Sequence, residues 1–182
     1  MDRSHYTKLG AAILIAGGAL VIGVGCKSNG SPGAVQAASG NRGDGTQRID
    51  IKRATDPDAA NIDLTPKDIT VEQLLATKLP GDVKGNLEDY GDKRIGDFEK
   101  STFRLTGTLK SVVKRKDGDF FLVVAGKSGQ TAVIEVPDPD LTKGSKLQSQ
   151  IEATRKAIED KYHPTDKEKE IDQPATIEGV GF

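Results

Sequence analysis

Four short strand-like stretches and an amphipathic helix between the third and the fourth predict a mainly β domain with one longer and one short helix, while an apolar content of only 35% predicts that part of the chain is unfolded tail. Three antiparallel strands, then a helix, then another strand is the element order of an OB-like small Greek-key barrel. Such a barrel needs a fifth strand, and the 182-residue sequence offers none after the fourth, so either the barrel lacks its last strand or another strand near 92–100 helps to close the sheet. An unclosed barrel leaves an unpaired edge, which invites a partner strand or aggregation.

Each element has a local cause. Order is expected to begin near Ile69. Thr70 stands three residues ahead of Gln73, the spacing of a capping box, and opens a short helix through Val71-Glu72-Gln73-Leu74-Leu75, with Ile69 placed to staple onto Leu74. Pro80-Gly81 stops it, and a polar, glycine-punctuated connection runs over 81–97. Phe103, Leu105, Gly107 and Leu109 alternate with Arg104, Thr106, Thr108 and Lys110, which makes a strand with one buried face.

Asp117-Gly118 marks a hairpin turn. Phe120 to Ala125 is apolar on both faces and reads as a central strand, and Thr131 to Val136 follows after the Gly126–Gly129 turn. Pro137 and Pro139 end the third strand, because proline cannot donate to a ladder. Ser145 with Gln148 forms a second capping box, expected to start the longer helix. Leu147, Ile151, Thr154, Ile158 and Tyr162 make its inner stripe, with Glu152, Arg155, Lys156, Glu159 and Asp160 on the solvent side. His163-Pro164 closes the helix, and Ala175 to Gly181 is the fourth strand.

Charge and composition limit the function. Lys plus Arg (26) nearly balance Asp plus Glu (27), which argues against a strongly basic nucleic-acid binder. With one cysteine there is neither an intrachain disulfide nor a cysteine-rich metal site. Of two histidines, His5 lies in a removable leader, leaving His163 alone, which disfavours histidine-based zinc sites and catalysis.

That leader carries Arg3 and Lys8, then an uncharged run from Leu9 to Gly25 with five glycines, the pattern of a secretory signal rather than a membrane-spanning helix. Residues 1–25 are therefore expected to be a signal peptide. The sole cysteine follows at once, in Ile22-Gly23-Val24-Gly25-Cys26. This stretch resembles the lipobox of bacterial lipoproteins, although Gly23 stands where an aliphatic residue is usual. The resemblance implies that the Cys26 thiol is acylated and becomes the mature N-terminus. Several acyl chains would hold a domain at a bilayer better than one. Residues 26–61, rich in glycine, serine and charge with no apolar period, are expected to form the lipidated cysteine and a flexible tether, leaving residues 62–182 as the domain. Arg42-Gly43-Asp44 within the tether reads as coincidence.

Gly107-Thr108-Leu109, Asp117-Gly118-Asp119-Phe120, Ile134-Glu135-Val136-Pro137-Asp138-Pro139, the helix from Ile151 to Arg155, and Gly179-Val180-Gly181-Phe182 together resemble a family of exported bacterial OB-like domains of unassigned function. The resemblance spans residues 65–182. Family members continue past the last motif, which implies truncation of this chain.

Candidate chemistry is sparse. Asp117 with Asp119, and Asp138 with Asp140, could offer oxygens to calcium, but turn chemistry accounts for both pairs, and no metal or cofactor is expected. Lys110, Lys114, Arg115, Lys116 and Lys127 surround the first hairpin. Phe103, Phe120 and Phe121 read mainly as core, with one of the adjacent pair Phe120 and Phe121 left as a possible stacking platform for single strands. Ser145 and Ser149 lack an elbow motif, and no glycine-rich phosphate loop is present.

The expected function is a membrane-anchored, non-catalytic binding or interaction module at the cell envelope. Its anchor would face the periplasm from the outer membrane in a two-membrane host, or lie on the outer face of the plasma membrane otherwise. A protein, a peptide strand or a polysaccharide are the expected partners, with nucleic acid disfavoured and the oligomeric state open. The alternatives are a nuclease-like metal-dependent hydrolase, in which Asp117, Asp119 or Glu135 would converge with Arg104 or Arg115, and a truncated product without activity.

Overall fold

The computed structural model describes residues 13–15, 21–23, 48–78, 90–91 and 93–182. Cys26, the tether over 26–47 with its Arg42–Asp44 tripeptide, and the Pro80-Gly81 stop lie outside the described residues. Among the described residues no helix is long and apolar enough to cross a membrane.

The described elements run in the order β1 (Ile13–Ile15), β2 (Val21–Gly23), α1 (Ile49–Arg53), β3 (Asp63–Ile69), α2 (Val71–Leu75), β4 (Ser101–Lys114), β5 (Phe120–Ala125), β6 (Thr131–Val136), α3 (Gln148–Tyr162) and β7 (Lys169–Gly181). The fold is mainly β, with α3 the one longer helix. Strands β3 to β7 make a mixed, open sheet, not closed into a barrel.

Strand β4 is its spine. Over Ser101–Leu105 it pairs with β3 in parallel, over Thr108–Lys114 with β5, and from Thr102 to Val112 with β7, the last two antiparallel. A register shift between Leu109 and Ser111 resets the strand's phase. Leu105 and Leu109 point inward before it and Val112 after it, so a single extra residue moves the buried set from odd to even positions. Gly107 sits where β4 and β5 approach most closely: a methyl group there would lie 2.6 Å from the Ala125 carbonyl oxygen and 2.8 Å from a Val124 methyl.

Strands β5 and β6 form where the sequence places them, but β5, read as apolar on both faces, buries only one: Phe120, Leu122 and Val124, as β6 buries Ala132, Ile134 and Val136. Val71 and Leu74 of α2, and Ile151, Ile158 and Tyr162 of α3, pack with these side chains in one core. Each fully buried aliphatic side chain contributes on the order of 2 kcal/mol. The capping box of α2 forms as expected: Gln73 N–H donates to Thr70 Oγ1 at 3.1 Å, and Thr70 N–H donates to Gln73 Oε1 at 2.9 Å.

Five further expectations need correction. Residues 48–61, read as the end of the tether, form α1 and a 3-10 turn over Pro57–Asn61, and they bury Ile51, Ala54 and Ala59. Strand β3 had no signal in the sequence: its residues are mostly exposed, it contains Pro66, and it holds only to the edge of β4. Ser145 does not cap α3; its hydroxyl accepts from Leu147 N–H in the turn before the helix, while Gln148 begins the helix itself. Arg155, assigned to the solvent face, is buried. Finally, β7 starts at Lys169 rather than Ala175, because Lys169 and Glu170 pair with Val112 and Ser111 beyond the register shift.

Candidate functional site

Lys52 of α1 is the hinge of the most chemically concentrated region. Its ammonium group is ion-paired with Asp119 at the start of β5 and lies 2.6 Å from Glu135 of β6. Two carboxylates that sequence reasoning nominated do therefore converge, but on a lysine that was assigned to the tether. Burial works to lower the Lys52 pKa; the Glu135 charge, seconded by Asp119, outweighs it and raises the value. The group stays an ammonium ion at neutral pH, so it serves as a counter-ion and not as a nucleophile or base.

Asp119 is fully engaged. Besides Lys52, it accepts from Asp138 N–H at 2.8 Å, while its own N–H reaches Asp117 at 3.3 Å. The first hairpin closes through Arg115 N–H donating to the Asp119 carbonyl and Gly118 N–H donating to that of Arg115. Gly118 takes φ of +89°, which is why Asp-Gly is the turn dipeptide here. Asp138 in turn accepts from Asp140 N–H at 3.0 Å. Both aspartate pairs thus act as turn-formers.

Arg155 reaches across from α3 to hold the same corner. It donates to the carbonyls of Gly118, Val136 and Pro137 at 2.9, 3.2 and 3.3 Å, and its guanidinium carbon stands 3.7 Å from the centre of the Phe120 ring. Burial lowers its pKa against the opposing pull of Asp138.

The arginines invoked for a hydrolase lie elsewhere. Arg104 donates to Glu178 at 2.8 Å and approaches Asp68 at 3.4 Å on the β4 surface. Arg115 covers the half-buried Phe121 ring at 5.0 Å, occupying the one face left for base stacking. The basic residues do not form one patch either: Lys114, Arg115 and Lys116 sit at the β4–β5 turn, whereas Lys127 sits at the β5–β6 turn, the other end of β5. Lys110 is ion-paired with Asp172. Among the described residues, no group of three or more His, Cys, Asp or Glu side chains is arranged to hold a metal ion. His163 occupies the C-cap of α3 in the left-handed region, with its N–H donating to the Glu159 carbonyl at 3.0 Å.

A second polar cluster went unforeseen. Arg94 forms a two-pronged pair with Asp56 at 2.6 and 3.1 Å and also donates to the carbonyls of Glu99 and Ile51. Arg48 does the same to Glu99 at 2.5 and 2.7 Å and donates to the Lys93 carbonyl. These pairs bolt α1 and the turn after it to the approach to β4. The two ion pairs join residues 38 and 51 positions apart in sequence, so no local pattern marks them.

The remaining feature is an opening in the sheet. Among the described residues no pairing joins β6 directly to β7. The short β2 lies between them, with Ile22 opposite Ile134 of β6, antiparallel, and opposite Gly181 of β7, parallel. Strand β1 continues along the same edge of β7, Ile13 opposite Ala175 through Ile15 opposite Ile177. No known protein family, curated protein or solved structure matches the chain, so its function has to be argued from this geometry.

Proposed function

We propose that the chain is an exported, membrane-anchored binding module with an OB-like domain and no catalytic role, acylated on Cys26 after removal of residues 1–25. The observation that carries this reading is the opening between β6 and β7, where two backbone edges face one another across a gap wide enough for a strand. Backbone edges of this kind recognise other chains by adding strands. Consistent with a non-catalytic role, Asp119 and Glu135 share Lys52 as an ion-pair partner, and Asp119 also accepts from Asp138 N–H. A protein partner at the cell envelope fits this site better than a polysaccharide, whose hydroxyls do not pair with a strand edge residue by residue.

The test has two arms. Grown with an alkyne-tagged fatty acid, the full chain should take up the label and pellet with membranes through a salt wash, and Cys26→Ala should do neither. The full chain should also show no hydrolysis of single- or double-stranded nucleic acid with magnesium or calcium. Turnover that disappears in Asp119→Asn would overturn the non-catalytic reading, and an unlabelled full chain would overturn the anchor.

A further inference from the structure

The occupant of that opening can be specified from the residues around it. Edge strands are normally defended by lysine, proline or unpaired charge. Strand β6 reads Thr-Ala-Val-Ile-Glu-Val, with no lysine or proline, and its one charge, Glu135, is neutralised by Lys52. Along the facing stretch of β7, Ala175 to Gly181, the one charge is Glu178, and Arg104 neutralises it at 2.8 Å. Every carboxylate bordering the gap is thus matched within the domain, and Ala132, Ile134, Val136, Ala175, Ile177 and Val180 beside it are buried. What fits is a strand carrying no charge.

The segment seated there has that character. Residues 13–15 and 21–23 come from the uncharged run Leu9–Gly25 and lie along β7 in one direction, with β2 also against β6. Under the anchoring reading above, this segment leaves with the signal peptide, and both edges lose their partner.

We propose that the β6–β7 opening is a strand-acceptor site whose occupant in the processed protein is an extended, uncharged apolar strand of a partner protein, running antiparallel to β6 and parallel to β7. The chain's own Val21–Gly23 stands in for that strand until cleavage. The inference deepens the binding-module reading and is tested independently of the lipid anchor.

The experiment uses the full chain carrying Val21→Pro and Ile22→Pro, which removes the N–H groups needed for pairing. Amide exchange over 131–136 and 175–181 should then rise by about tenfold or more relative to the unaltered chain, with 108–125 unchanged. A soluble peptide carrying residues 19–25 with lysines appended should restore the protection; the same peptide with proline in place of Ile22 should not. Should the double variant lose its cooperative melt altogether, restoration of the melt by the first peptide and not by the second supports the same conclusion. Exchange unaltered by the prolines, or no rescue by the first peptide, overturns the proposal. So does protection that returns without peptide as protein concentration rises, which would assign the edge to a second copy. Fatty-acid labelling on Cys26 is read separately, so loss of the anchor and loss of the strand site give different results.

Discussion

Two halves of this molecule are held by different forces. The sheet and α3 enclose an apolar core in which Leu105, Leu122, Val124, Ile134 and Ile151 are all at most 1% exposed. The segment 48–62 buries a few apolar side chains but is also fastened by buried ion pairs: Arg94 to Asp56, with side chains 1% and 0% exposed, and Arg48 to Glu99. Apolar burial tolerates local rearrangement, because its attraction has no direction. A buried ion pair does not: with one partner removed, the other is a stranded charge. The ionic half should therefore be the more brittle, even though it contains less apolar surface.

That contrast sets the order of expected effects. Arg94→Ala or Asp56→Ala should cost about 3–5 kcal/mol in urea unfolding, whereas replacing both with well-packed apolar residues should recover most of the loss. If the double replacement is as damaging as either single change, the segment is held by shape and the contrast fails. Leu122→Ala in the apolar half should cost about 2–5 kcal/mol, read from the same unfolding curves, with a value at the low end where the core collapses into the space.

A smaller, pH-dependent effect belongs to Glu72. Its carboxylate accepts from Ser128 N–H and Oγ at 2.9 and 2.7 Å, tying α2 to the β5–β6 turn, and these bonds lower its pKa from 4.5 to about 2. Because the folded value is depressed, the stabilisation is present above the unfolded value near 4.5 and is lost as pH falls toward 2. Glu72→Gln should lower the melting temperature slightly at pH 6, and that difference should vanish by pH 2. The smallest effect concerns Tyr162, whose buried hydroxyl has no hydrogen-bond partner among the described residues. Tyr162→Phe should leave the thermal midpoint unchanged or raise it slightly, by the equivalent of about 1 kcal/mol at most, since it removes a desolvated polar group. A clear loss would mean that this hydroxyl is satisfied after all.

The same division explains what could be read in the sequence. The strand stretches Phe120–Ala125 and Thr131–Val136 and the stripe Ile151, Thr154, Ile158, Tyr162 are local patterns, and each forms where the sequence places it. The cap Thr70–Gln73 is local as well. Lys52, Arg48 and Asp56 carry no such mark, since a charged residue in a polar stretch reads as solvated until its distant partner is placed. The site was half visible for that reason: Asp119 and Glu135 stood out in turn and strand, whereas the lysine between them did not. Arg155 was misplaced by its charge, although its position one step from Thr154 put it beside the inner stripe. Strand β3 is polar because an edge strand needs only backbone bonds to a neighbour.

The long pairing between β4 and β7 also governs when this protein can fold. Thr102 meets Val180, and Leu105 meets Ile177, so the spine's second partner comes from far along the chain. Closing so wide a loop comes before any of its pairing is gained, which slows folding. Until then β4 can pair with β5 and β6 in a three-stranded meander, but half its bonding edge stays open.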